Sequence, residues 1–300
     1  MGQTGPRSGH LSGEASPGIA RSDGAKAMSD SDSGYQFASG DELTRLEVQG
    51  RVLGPATRMI FAAAGIQPGM RVLDLGCGVG DTAFVAADLV GPDGHVVGID
   101  RWPEALARAR LRAGQAGLAH VQFVEGDIHD PAPGGPFDAI VGRLVLMHLP
   151  DPVIVLRQQA TVLRAGGLVV PVEHDIHTTR SLPSTPLVSQ AVAWLTEAFT
   201  TSGISSIGPR LWGVLRDAGL RPLGMIGVQP HFGPGDPAAV TLAEGVIRAV
   251  APLIERTGVA TAEEIGVETF GQRLRDELHM NSAVLAPAML LSAWATTSPE

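Results

Sequence analysis

Short apolar runs ending in glycine or aspartate alternate, through the middle of the chain, with stretches in which apolar residues recur every three or four positions. The runs Val72 to Leu75, Val96 to Ile99, Val121 to Val124, Phe137 to Val141 and Gly167 to Val172 have the length and composition of buried strands. Pro171 is awkward in the last of them, because proline cannot donate to a ladder. Between the runs, the periodic stretches starting at Asp81, Glu104 to Ala113 and Asp151 to Ala165 predict helices. The third has Asp151 as N-cap, Pro152 in its first turn and Gly166 past its end. Beyond them the pattern predicts helices over Leu187 to Thr200 and Pro209 to Ala218, a strand over Leu220 to Val228, and two helical stretches from Pro237 to about Met280. Such alternation implies an α/β fold, a doubly wound and mostly parallel sheet with helices on both faces and ligands at the carboxyl ends of its strands.

The flanks read differently. Residues 1–33 are rich in Gly, Ser, Pro and Asp, lack the apolar core of a signal peptide, and are expected to be disordered. Residues 34–66 form an expected helical cap: Ser39 to Glu42 matches a capping box, Glu42, Arg45, Leu46 and Gln49 share a face, and a second helix runs from Pro55 to Ala64. The sheet core is expected over 67–180, with the rest of the sheet in 181–300. Insertions at about 183–206 and 237–280 have no place in a minimal sheet, and are expected to form a lid over the strand ends. Exterior padding or a homodimer contact is the alternative.

The chemistry concentrates after the strands. Asp74-Leu75-Gly76-Cys77-Gly78-Val79-Gly80-Asp81 reads as a strand passing through a glycine turn into a helix, which brings bare backbone and helix N–H groups to a ligand. Its spacing is not the G-x-G-x-x-G of dinucleotide sites. Lys26 is the only lysine, so no phosphate-cradling loop with its cation is available. Asp100, after the second strand, can accept two hydrogen bonds from a ribose diol. Gly126-Asp127-Ile128 puts a carboxylate and an apolar side chain where an adenine edge and face could be read, and the fourth strand leads into Gly142-Arg143.

The succession Asp74 to Gly80, Asp100, Gly126-Asp127, Phe137-Asp138 and Gly166-Gly167 resembles the class I S-adenosylmethionine-dependent methyltransferases over roughly Met70 to Val172. Leu146 to Pro152 resembles the branch holding ubiquinone/menaquinone C-methyltransferases and small-molecule methyltransferases of bacterial secondary metabolism. The resemblance implies a Rossmann-like seven-stranded sheet closed by a strand over Ala288 to Ala295, with S-adenosylmethionine as cofactor. Gly76 and Gly78 would lie under its methionine part, with Asp74 and Arg143 among the cofactor-binding residues, and Asp100 would hold the ribose. Arg101 or Trp102 would lie along the adenine, and Asp127 and Ile128 would take its edge and face. Tyr35, the only tyrosine, would close over the cofactor, with packing of the N-terminal arm as the equal alternative.

Composition narrows the acceptor. The 300 residues, 44% hydrophobic, suffice for one large domain or a core plus a cap. A net charge of −9 without a basic cluster disfavours nucleic acid. The sequence shows no run of about 20 apolar residues that would span a membrane, and a cytoplasmic, small-molecule enzyme is expected. Cys77, the one cysteine, reads as a small spacer against the ligand. Methyl transfer from a sulfonium is a displacement in which positioning dominates and a base is optional. Glu173 and His148 are the candidate bases, Glu173 the better one. Glu173, His174, Asp175 and His177 suggest metal ligands only weakly, because adjacent strand residues point to opposite faces, so no metal is expected. Non-methylating chemistry on the same cofactor and a non-catalytic binding subunit are the competing readings.

Overall fold

The computed structural model describes residues 1–2, 40–204 and 206–297. Tyr35 and Ser39 lie outside them. Seven strands form one sheet: β1 (Arg71–Leu75), β2 (His95–Asp100), β3 (Val121–Glu125), β4 (Phe137–Arg143), β5 (Leu163–Asp175), β7 (Arg221–Val228) and β9 (Met289–Thr296). Their order is β3-β2-β1-β4-β5-β9-β7, with β9 antiparallel to both neighbours and the other ladders parallel. Strand order reverses between β1 and β4, so the turns leaving those two strands diverge around a crevice, the place where open α/β sheets bind ligands. Two short strands, β6 (Arg180–Leu182) and β8 (Val284–Ala286), pair separately.

Each face of the sheet has its own core. On one, Val72, Val96, Val141 and Val170 pack beneath α1 (Gly40–Ala64), α2 (Asp81–Val90) and α3 (Pro103–Gln115). On the other, Leu73, Val97, Ile140 and Val169 pack under α4 (Pro152–Ala160) and α6 (Leu211–Asp217). A third core joins α5 (Pro186–Thr201), α7 (Pro237–Arg256), α8 (Ala262–Ile265) and α9 (Val267–Met280) around Trp194, Ile254 and Phe270. Met147, just after β4, and Ile176, just after β5, pack against it. The inserted helices therefore sit over the carboxyl ends of these strands. By length and composition α7 could cross a membrane, and eight of its residues are buried in this fold.

Three expectations are corrected. The two N-terminal helices are one helix of 25 residues with Pro55 inside it. Pro55 is exposed, as is Arg51, the residue whose carbonyl would otherwise accept the N–H that proline lacks. The helix after Asp151 stops at Ala160, because the chain is already extended at Leu163 and Gly166 belongs to β5. Pro171 fits inside β5, where the ladder to β9 lapses between Val169 and Val172.

Phe61 is fully buried between α1 and the sheet. Phe61→Ala is expected to cost about 3–5 kcal/mol by cavity formation, measured as a shift of the urea unfolding transition.

Candidate cofactor and active site

The turn after β1 alternates between access and burial. Gly76 and Gly78 are partly exposed, whereas Cys77, Val79 and Gly80 are buried. Gly76, Gly78 and Gly80 all adopt positive φ, 62°, 50° and 90°. A Cβ on Gly76 would stand 2.7 Å from a Val145 methyl, and one on Gly80 would stand 2.9 Å from the rings of Phe84 and Phe123. Those two rings meet edge to face. Arg112 braces the turn from α3: Nη1 donates to the Val79 carbonyl at 2.6 Å and Nη2 to Asp81 at 2.7 Å. Nothing in the sequence pattern marks this arginine, which stands in the last turn of an ordinary helix.

Asp100 joins the first two strand ends. Its Oδ2 accepts from the Gly78 N–H at 2.8 Å and its Oδ1 from the Trp102 N–H at 2.9 Å. The carboxylate expected to hold a ribose thus also fixes the glycine turn, and the remaining lone pairs are what it can offer a ligand. Asp127, after β3, is half exposed. Its Oδ1 accepts from the backbone N–H of His129 at 2.9 Å and lies 2.7 Å from its ring nitrogen, and these contacts hold its pKa below the usual carboxylate range. Ile128 packs its side chain against the sheet, and its carbonyl accepts from Gln159 at 2.7 Å. The positive charge of Arg101 acts on both Asp127 and His148, so the ends of β2, β3 and β4 share one electrostatic environment.

Below the turn lies a buried polar group. Asp74 is fully buried with neither carboxyl oxygen paired, and burial drives its pKa well up against the opposing pull of Arg143. Arg143 runs back toward α1, where Nη1 donates to Thr57 Oγ1 at 3.0 Å, and burial lowers its pKa despite Asp81 and Asp74. Above the turn, Leu46 of α1 is the neighbour nearest to where a Cβ on Gly78 would stand, at 3.9 Å. Arg45 and Glu42 form a two-bonded ion pair on that helix, with Glu42 4% exposed, and Arg45 meets α7 at Gly245. The polar face expected on this helix is thus buried at Glu42 and partly buried at Arg45 and Gln49.

Two expected roles change. Cys77 points into the core, its sulfur 2.9 Å from where a Cβ on Gly98 would stand, and it is no spacer against a ligand. The alternation of the chain puts Gly76 and Gly78 outward and the thiol inward. Glu173 is 1% exposed, and its Oε1 accepts from the N–H groups of Val145 at 3.0 Å and Leu146 at 2.7 Å. Burial raises its pKa to about 8. A sealed carboxyl, mostly protonated at neutral pH and already bonded to backbone, is not placed to take a proton from an acceptor. His148 keeps an exposed edge. The protein around its ring, together with Arg45 and Arg101, lowers its pKa to about 4, so it is neutral and able to accept a proton. Among the described residues no three metal-ligating side chains converge, and Asp175 accepts instead from the His177 N–H.

Burial drives the Cys77 thiol pKa well up. Thiol alkylation followed by mass spectrometry is expected to leave the native chain unlabelled and to label it in denaturant, and rapid native labelling would place the sulfur at the surface.

Residues 66–202 match a protein family described as a methyltransferase domain. Nocamycin O-methyltransferase of Saccharothrix syringae is 30% identical over 64% of this chain and 65% of its own length. The 2-phytyl-1,4-naphtoquinone methyltransferase of Synechococcus elongatus is 40% identical over 44% of this chain and 55% of its own. The chain thus spans less than two thirds of the length of either relative. In fold, it is similar to a SAM-dependent methyltransferase from Aquifex aeolicus, with a TM-score of 0.50 and 20% identity over 63% of this chain and 92% of that one. The glycine turn and the acidic strand ends all fall within the segment that matches a methyltransferase domain, and over that segment the chain is similar to S-adenosylmethionine-dependent methyltransferases.

Proposed function

We propose that the protein transfers a methyl group from S-adenosylmethionine to a small-molecule acceptor held under the helical cap. The observation that carries this reading is the convergence of Gly76, Gly78 and Asp100 at the switch point of a methyltransferase-family sheet. The residues suit the cofactor chemically. The bare backbone of Gly76 and Gly78 leaves room for the amino-acid part of the cofactor, and Asp100 and Asp127 offer acceptor lone pairs to hydroxyls and an amine.

S-adenosylmethionine supplies, when bound, a methyl group on a sulfonium, open to in-line displacement. The work of this chain is to place the acceptor and exclude water, for which well-oriented partners gain about 7–11 kcal/mol. The cap formed by α5, α7 and α9 supplies the enclosure, with Met147 and Ile176 joining it to the strand ends. His148, neutral at physiological pH, is the residue we assign to take a proton from an acceptor that must lose one. The nocamycin relative supports an acceptor from bacterial secondary metabolism, and its alignment is longer than that of the quinone relative.

Calorimetry with S-adenosylhomocysteine tests the cofactor reading. Asp100→Ala is expected to weaken binding about tenfold or more, because hydrogen bonds to a charged group contribute roughly 1.5–3 kcal/mol. Asp100→Asn should lose nearly as much, because an amide cannot accept from Gly78 and Trp102 through both of its ends. Unchanged affinity in both variants would remove the ribose assignment. With an acceptor in hand, the product should gain one methylene in mass. Since the His148 pKa is lowered from its ordinary value, base function is lost only as pH falls through about 4. The kcat/KM profile should therefore be flat from neutral pH down to about 5, and a limb centred near 6.5 would show a base that titrates at the ordinary histidine value instead of the lowered one.

A further inference from the structure

The segment between β4 and α4 carries an anomaly that the cofactor site does not explain. Leu144 adopts φ 58°, a conformation that leucine rarely takes and that persists only where the surroundings enforce it. The enforcing contacts all come from β5. The Leu144 N–H donates to the Val172 carbonyl at 2.8 Å, and the next two N–H groups, of Val145 and Leu146, both donate to Glu173 Oε1 at 3.0 and 2.7 Å. Glu173 Oε2 is buried with no partner. Among the described residues Ser282 is the only other non-glycine residue with positive φ, and it follows a helix.

We propose that Glu173 is a positioning residue whose carboxyl holds the turn Leu144 to Leu146 in its strained form, and so seats Val145 against Gly76 and fixes Met147 and His148 beneath the cap. The consequences run outward from the turn. Val145 lies so close to Gly76 that no Cβ fits between them, so a shift of this turn moves one wall of the crevice between β1 and β4. Met147, two residues on, packs against both the cap core and the sheet core. A side chain that presents one acceptor oxygen to two N–H groups has no need of charge. The raised pKa of Glu173, about 8, fits a neutral acid with its proton on the unpaired oxygen. Glutamine reproduces that pattern, with its carbonyl in place of Oε1 and its amide nitrogen in place of the protonated oxygen.

The effect on ligand binding rests on the cofactor reading above, whereas the effect on the turn does not, and the experiment separates them. Amide hydrogen exchange by NMR and calorimetry with S-adenosylhomocysteine are compared in the full chain for wild type, Glu173→Gln and Glu173→Leu. Glu173→Gln is expected to keep the Val145 and Leu146 amides protected and affinity within threefold. Glu173→Leu is expected to lose protection at those two amides while the strands stay protected, and to weaken affinity tenfold or more. Adding Leu144→Gly to Glu173→Leu should recover at least threefold in affinity, because glycine adopts this φ freely. If Glu173→Leu does not fold, Glu173→Asp, whose reach is one methylene shorter, is expected to behave as described for it. Retained protection in the Leu variant, or a Gln variant that loses protection as the Leu variant does, overturns the proposal. Wild type that binds no S-adenosylhomocysteine overturns the cofactor reading and leaves the exchange result to decide the role of Glu173.

Discussion

The close approach of Gly76 to Val145 is the constraint around which the rest of the molecule is arranged. It brings the turn after β1 against the turn after β4, where the strand order reverses and the sheet opens a crevice. Backbone brought this close cannot rely on side chains of its own for support, and the support comes from neighbouring strands. Asp100 of β2 holds the Gly78 N–H on one side, and Glu173 of β5 holds the Val145 and Leu146 N–H groups on the other. Two carboxyls thus fix the two walls of the crevice, one at its rim and one sealed beneath it.

Their environments set them apart. Asp100, partly buried, bonds to two N–H groups through separate oxygens, as a carboxylate can. Glu173, sealed from water, uses one oxygen and has its pKa raised to about 8. Burial pushes Asp74 in the same direction, while the imidazole of His148 moves the opposite way and stays neutral. Desolvation, the first cause in each of these three shifts, therefore discharges acid and base alike around the crevice.

The cap is built separately from the sheet and joined to it at few points. Its helices have their own core, and Met147 and Ile176 connect that core to the ends of β4 and β5. The N-terminal helix contributes from the other side, with Leu46 over Gly78 and the buried Glu42–Arg45 pair beside α7. Enclosure of the strand ends is thus shared between parts of the chain that are some 200 positions apart, about the separation of Arg45 and Gly245.

The strands, the order of acidic residues at their ends and the glycine turn were legible in the sequence, because each depends on local spacing: short apolar runs, positive φ at Gly76, Gly78 and Gly80, and an aspartate as the last residue of β2. What was not legible depended on which groups meet across the fold. Pro55 reads as a helix start, but it is an exposed residue inside a continuous helix. Cys77 looked like a neighbour of the ligand, but the turn directs it inward to Gly98. Glu173 looked like a base because it ends a strand, and only the packing of β5 against the turn after β4 shows its oxygen bonded to backbone. Sequence thus determined where the ligand-type residues stand along the chain, since backbone conformation and burial periodicity are local. Tertiary structure decided which of them face the crevice, since partner and solvent access are properties of distant segments brought together.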